Sequence, residues 1–338
     1  MNISEFIAVG ENIHCTRIYK VGGKFCKEGD GGYVIEYNVD GETRQLPVPE
    51  SFTQNADWEA GKVKHCAVAI WQGNYGDDAG KAAAADYLSH LAARQEANGA
   101  TYLDVNVDEF STDVEERVGL MAWTVDVVQK ASGLPISVDS SNTRILKAGL
   151  EACDSSRARP MVNSVSLERL DAIPVAEEFE AVVIASAAGE KELPSTTEGR
   201  MANLERLMPK LQNAGLAISD IHIDPLVFPI SVDGNNGNGF FEACRAIRET
   251  YGPEVHNVAG LSNISFGMPN RRLINQVFTS LCVEAGADGG IVDPLQISVD
   301  VLNSLDPDAE GFKLAKALLM GEDDFGMNYI MASRDGTI

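Results

Sequence analysis

Short apolar runs rich in β-branched residues alternate along this chain with longer stretches whose apolar positions recur every three or four residues. The first pattern reads as buried strands and the second as amphipathic helices. Strands are predicted over Phe6–Glu11, Tyr102–Val107, Ile136–Ser140, Met161–Val165, Ala181–Ala187, Ile221–Val227, Val258–Ser265 and Gly290–Pro294. Helices are predicted between them, among others over Ala82–Asn98, Asp113–Ala131, Thr143–Ala152, Arg200–Asn213 and Arg271–Ala285. Gly99, Gly215 and Gly286 stand where a left-handed C-cap favours glycine. Strand then helix, repeated about eight times, predicts the α/β class and a (β/α)8 TIM barrel. A doubly wound open sheet is the alternative, but no G-x-G-x-x-G opens a helix after the first strand.

One segment breaks the rhythm. Roughly seventy residues separate the first strand from the first long helix, far more than a βα loop needs. Within them Asp40-Gly41 is flanked by alternating strand-like residues, which predicts an inserted β-hairpin of Tyr33–Val39 and Glu42–Val48. Rooted at the end of the first strand, it is expected over or beside the barrel mouth, as a docking or gating element; the alternative is that it only covers barrel surface or supports a dimer contact. Tyr33, Tyr37, Glu36, Lys24 and Arg44 would be its contacts. The expected organisation is one barrel domain over residues 1–338 with an insertion at about 18–77.

Length and composition agree with that picture: 338 residues, 44% of them hydrophobic, suffice for a large core. The formal net charge of −23 disfavours nucleic acid as a partner, because phosphate binding needs a basic surface. No apolar run approaches the roughly 20 residues that span a bilayer, and the N-terminus lacks the pattern of a signal peptide. A cytoplasmic protein without membrane contact is expected. The six cysteines form no C-x-x-C pair and read as buried thiols. His14, Cys15, Cys26, His65 and Cys66 are conceivable metal ligands, but their spacing matches no zinc motif, and no metal is expected.

The candidate chemistry lies at the strand ends. In chain order these carry Glu11, Asp104 with Asn106, Asp139, Asn163, Ser186, Asp224, Asn263 with Ser265, and Asp293. In a parallel barrel such positions converge on one mouth, where active sites form. Singly, each can be a helix cap, as in the DSSN that precedes Thr143. Together, carboxylates and amides with no lysine or arginine among them suit either a hard cation or a ligand edge rich in N–H donors, such as a pterin. Spacing alone does not separate these two readings.

Six motifs bear on the choice: GENIH at Gly10–His14, NGATYLDVNVDE at Asn98–Glu109, PISVDSSN at Pro135–Asn142, PMVNSVS at Pro160–Ser166, HIDPLVFPIS at His222–Ser231 and GLSNISFGMPNRRLIN at Gly260–Asn275. In order and spacing the chain resembles the methyltetrahydrofolate:corrinoid methyltransferases and the folate-binding module of cobalamin-dependent methionine synthase. The likeness covers roughly Phe6–Glu11 and Lys81–Pro294. It implies that Asp139, Asn163 and Asp224 bind the pterin edge, with Glu11, Asp104, Asn106, Ser265 and Asp293 around it. Asn263 would reach the ring nitrogen that carries the methyl group and stabilise the charge developing there. The implied substrate is tetrahydrofolate or 5-methyltetrahydrofolate, with cobalamin carried by a partner corrinoid protein, since no D-x-H-x-x-G signature is present. Family members are often homodimers. The chain departs from the family's usual G-E-R-x-N, having Asn12 and His14 in place of the Arg and the Asn. Dihydropteroate synthase shares the barrel and the acids, but its late-strand lysine signature is replaced here by GLSNISFGMPNRR. A non-catalytic folate-binding or corrinoid-docking subunit is the alternative from another class.

Overall fold

The computed structural model describes residues 3–29 and 31–338. Eight strands close into a parallel barrel in sequential order. They are β1 (Ile7–His14), β2 (Tyr102–Asn106), β3 (Ile136–Asp139), β4 (Met161–Val165), β5 (Val182–Ser186), β6 (Ile221–Asp224), β7 (His256–Gly260) and β8 (Gly289–Val292). The predicted TIM barrel is therefore the observed fold. Strand β5 is buried at every position, as a parallel strand covered on both faces must be. The connecting helices include α1 (Asp78–Ala97), α2 (Val114–Ala131), α3 (Thr143–Ala152), α4 (Ala172–Glu178), α5 (Thr197–Asn213), α6 (Asn236–Tyr251) and α7 (Arg271–Glu284), and α8 (Glu310–Leu319) follows the last strand. No helix of the described residues is long and apolar enough to cross a membrane.

By contacts the chain groups into two compact units. The first comprises Met1–Gly10, Asn98–Tyr102 and Met161–Ile338. Its barrel-lining cluster is Val9, Met161, Val182, Ile184 and Val258. Outside the strands, Phe240 and Phe241 of α6 meet Phe278 of α7 with ring centroids 5.3 and 5.5 Å apart. Burying such a ring contributes about 1.5–3 kcal/mol. Closure of β8 against its neighbours needs small residues. A Cβ at Gly289 would lie 2.6 Å from the Ile7 carbonyl, and one at Gly290 2.5 Å from Leu261 Cδ1.

The second unit comprises Glu11–Ala97 and Leu103–Pro160. It holds the insertion, which is more elaborate than the predicted hairpin. Gly32–Val39 and Glu42–Pro47 do pair about Asp40-Gly41, but Cys26–Gly29 adds a third strand. Ile18–Lys20 pairs separately with Lys62–Lys64, and His65–Tyr75 is a largely buried helix. The three-stranded sheet lies along the outer face of α1. Tyr37 is buried there, its hydroxyl donating to Asp86 at 2.5 Å and its ring set edge-on to Tyr87; Arg44 pairs with the same Asp86. The turn residues Asn38, Val39 and Asp40 share a cavity with Ala93, Arg94 and Ala97 at the C-terminal end of α1. Barrel helices run antiparallel to their strands, so this turn points towards the amino-terminal ends of the strands. The expected position over the mouth is thus corrected. Two of the contacts assigned to the hairpin, Tyr37 and Arg44, serve to hold it against α1.

Candidate active site

In the second unit, β1 carries Glu11 and runs three residues past the predicted end to His14. Glu11 is buried, and its carboxylate accepts from Arg17 Nη2 at 2.5 Å. His14 Nδ1 accepts from the Thr16 backbone N–H at 3.1 Å, which turns Nε2 towards Asp139 Oδ2 at 3.7 Å. Burial lowers the imidazole pKa, but hydrogen bonding to Asp139 and the charges of Asp139 and Asp104 outweigh it, and His14 titrates above its usual value. Asp104 is buried, and its Oδ1 accepts from Ser137 Oγ at 2.6 Å. Asn106 Oδ1 accepts from the Asp108 N–H at 2.9 Å. Asp108 in turn holds the loop after β3 through Ser140 Oγ and through the backbone and hydroxyl of Ser141. That loop hands the capping of α3 to Asn142, whose side chain accepts from the Arg144 N–H at 3.0 Å. Asp139, the last residue of β3, is left partly exposed and does not cap the helix.

In the first unit, Asn163 and Ser186 are buried on β4 and β5. Asp224 ends β6, and its Oδ1 accepts from the Leu226 N–H at 2.8 Å. Among the described residues no lysine or arginine forms an ion pair with it. The nearest influence of that kind is Arg200, itself 1% exposed, which donates to the carbonyls of Leu226 and Gly239 and stacks on Phe228. Asp224 is partly accessible, yet the protein packed around it strips water from the carboxylate. That desolvation pushes its pKa up to about 6, against the lowering effects of the Leu226 N–H and Arg200.

Asn263 and Ser265 are not on a strand, as Val258–Ser265 had predicted. Strand β7 stops at Gly260, and Leu261–Ser265 forms a 3-10 turn. The Asn263 amide folds back over the strand end, where a Cβ at Gly260 would come within 3.0 Å of Nδ2. Ser265 is fully buried, donating to the Ser262 carbonyl and accepting from Arg271 Nε at 2.9 Å. Asp293, just beyond β8, accepts from Gln296 Nε2 at 2.6 Å and the Leu295 N–H at 3.1 Å. The predicted residues thus fall into two kinds. Glu11, Ser265 and Asp293 are engaged in fixing their own loops, whereas Asp139, Asp224 and Asn263 present groups that no helix cap consumes. His14, Arg17, Arg200 and Arg271 were not among the predicted site residues. For His14 the signal was its place three residues beyond Glu11, on the same strand. Among the described residues, no group of three or more His, Cys, Asp or Glu is arranged to hold a metal ion.

An acceptor-rich set with a desolvated carboxylate suits a ligand edge that offers N–H donors. Comparison with known proteins agrees. Residues 75–293 match the pterin-binding enzyme family, and the chain belongs to it, in its methyltetrahydrofolate:corrinoid methyltransferase branch. It is 31% identical to the methylcorrinoid:tetrahydrofolate methyltransferase of Eubacterium limosum, across 75% of this chain and 89% of that one. It is 33% identical to methionine synthase of Mycobacterium tuberculosis over 61% of this chain, which spans only 18% of that longer protein. Among solved structures, dihydropteroate synthases from Xanthomonas albilineans and Stenotrophomonas maltophilia share the fold. Each has a TM-score of 0.52, with 18% and 17% identity, over 67% and 65% of this chain and 86% of theirs.

Proposed function

We propose that this protein moves a methyl group between N5 of 5-methyltetrahydrofolate and the cobalt of a corrinoid carried by a separate protein. The observation that carries the reading is the pairing of chemistries in the first unit. Asp224 is a desolvated carboxylate without an ion-paired cation among the described residues, and Asn263 is an amide lying over the end of β7, where the missing side chain of Gly260 leaves it room. Asp224 takes two N–H groups of the pterin edge as a paired fork, and Asn163 serves a mixed donor and acceptor position. Ligand N–H groups supply the hydrogen bonds that the desolvated carboxylate lacks, so binding favours its ionised form. The corrinoid is a second substrate. In the direction that consumes methyltetrahydrofolate, the N5–CH3 bond breaks with its electron pair returning to N5, which takes up a proton. The methyl carbon accepts the electron pair of cobalt(I), which becomes methyl-cobalt(III). Asn263 donates a hydrogen bond to N5 as charge develops there, an interaction that strengthens towards the transition state.

The relative from Eubacterium limosum supports this reading over a dihydropteroate synthase, whose likeness extends to the fold. The test is to mix the protein with 5-methyltetrahydrofolate and cob(I)alamin and follow the cobalt spectrum. Formation of methylcobalamin is expected. Its absence, with folate binding intact, would leave a folate-binding subunit instead. Condensation of a pterin pyrophosphate with p-aminobenzoate would establish the synthase reading.

A further inference from the structure

The loops after β6 and β7 and the segment before a final helix, Met327–Arg334, carry apolar side chains that the barrel does not cover. Phe325 is 89% exposed, Val232 79% and Phe266 65%. Val232 and Phe325 line a common cleft with Ile230 and Met268. Phe325 also holds φ at +52°, a left-handed conformation that a bulky side chain seldom adopts. Such a conformation persists where the surrounding structure imposes it, and it often marks a functional segment. Exposed aromatic side chains beside a partly buried methionine are the composition of a protein interface rather than of a solvated surface.

This patch is continuous with the Asn263 turn. The Phe266 N–H donates to the Asn263 carbonyl at 3.1 Å, and the Ile230 N–H donates to the Ile264 carbonyl at 2.9 Å. Ser231 Oγ closes the link to the Phe266 carbonyl at 2.7 Å. Asp233, Asp323 and Asp324 line the cleft itself and no lysine or arginine does; the one cation beside the patch among the contacts described is Arg271, whose guanidinium lies 5.8 Å from the Phe266 ring centroid. We infer that this rim is the docking surface for the corrinoid-carrying protein, whose matching face has an apolar centre and a basic border. The inference rests on the proposed methyl transfer. Cobalt has to reach a methyl group beside Asn263, and a carrier that seats on the rim joined to that turn brings it there. Complementary charge sets the approach and the orientation, while Val232 and Phe325 provide the buried centre.

The experiment uses the full-length protein and the double variant V232S/F325S. Both are assayed with free cob(I)alamin and with whichever member of a panel of purified, cobalamin-loaded corrinoid proteins exchanges methyl groups with the unmodified protein. The double variant is expected to lose about tenfold or more in kcat/KM with the protein-bound corrinoid and to match the unmodified protein with free cobalamin. D324K is expected to slow only the protein-bound reaction and to flatten its salt dependence. Equal rates for the double variant with the protein-bound corrinoid would overturn the docking surface. So would reaction of the unmodified protein with free cobalamin but with no corrinoid protein. A double variant that merely changes from dimer to monomer on sedimentation, with both rates intact, would assign the patch to self-association and overturn the proposal as well. Failure of the unmodified protein with free cobalamin is a different result: it removes the methyl-transfer reading, and the docking inference falls with it.

Discussion

Asp224 and Asp288 belong to the same compact unit and stand at opposite ends of its strands. Asp288 immediately precedes β8, and Asp224 closes β6. Asp288 is surrounded by donors: His256 Nδ1 at 2.8 Å, Arg248 Nη2 at 3.0 Å and the Asn257 N–H at 2.7 Å. Burial raises its pKa, but His256, the Asn257 N–H and Arg248 together bring it below the usual value. Asp224 accepts from one backbone N–H and has no ion-paired cation among the described residues, and its pKa rises to about 6. The amino-terminal end spends its carboxylate on holding the fold. The carboxyl-terminal end keeps one in an unsatisfied state, which lowers stability and leaves capacity for a ligand.

Asn263→Ala tests the carboxyl end most severely. If the amide is the main donor to N5, methyl transfer to free cobalamin falls on the order of 10²-fold or more, while folate affinity changes little. Turnover equal to that of the unmodified protein would remove the role. Asp224→Asn comes next. Loss of a charged hydrogen bond should weaken methyltetrahydrofolate binding by about 1.5–3 kcal/mol, measured by calorimetry, and Asp139→Asn should do the same. Unchanged affinity in both variants would remove the pterin reading.

The two aspartates also differ in the sign of their pH dependence. For Asp224 the folded-state pKa lies above the unfolded one. Its ionisation therefore costs stability, and that cost grows as pH rises from the ordinary carboxylate range to about 6. Asp224→Asn removes the cost, so thermal stability at neutral pH should hold or rise as binding falls. In the unmodified protein, folate affinity should drop as pH falls below about 6 and the carboxylate protonates; the variant should lack that limb. For Asp288 the folded pKa is depressed, so its contribution is present above the unfolded carboxylate pKa and is lost as pH falls through the folded value. Asp288→Asn should cost about 1 kcal/mol of stability at neutral pH, modest because the side chain is partly solvated, and leave folate affinity alone. Chemical denaturation read beside calorimetry separates the two ends. A stability loss in Asp224→Asn as large as in Asp288→Asn would break the contrast.

Much of this contrast was legible in the chain. The strands announced themselves as β-branched runs, and Gly99, Gly215 and Gly286 do take positive φ after their helices. Strand-end acids and amides could be listed because a period-two strand fixes where its last residues lie. What could not be read is the environment that distinguishes them. Asp224 owes its state to the protein packed around it, which strips water from the carboxylate and outweighs the opposing charge of Arg200; that arginine is itself buried, although an arginine reads from sequence as a surface residue. The run Val258–Ser265 reads as one strand because Leu261 and Ile264 continue its apolar character. Both are in fact buried from a 3-10 turn. The helix His65–Tyr75 gave no amphipathic stripe, because most of its residues are buried all round. Helix α6 opens on Asn-Gly-Asn-Gly, a composition of loops.

The smallest effect is expected where the contrast should not reach at all, in the inserted sheet. A docking or gating hairpin over the mouth would make its exposed residues matter for catalysis. Here Arg44 reaches Asp86 on the outer face of α1, and the Asp40-Gly41 turn lies towards the far end of that helix. Both partners of the pair are more than a third exposed, so solvent screens it. Arg44→Ala should therefore lower stability by less than about 1 kcal/mol. Rates with free cobalamin and with a corrinoid protein should both stay at the level of the unmodified protein. The informative result would be a selective loss with the corrinoid protein at unchanged stability. It would mean that the partner reaches round to the side of α1, and that the rim of Val232 and Phe325 does not hold it alone.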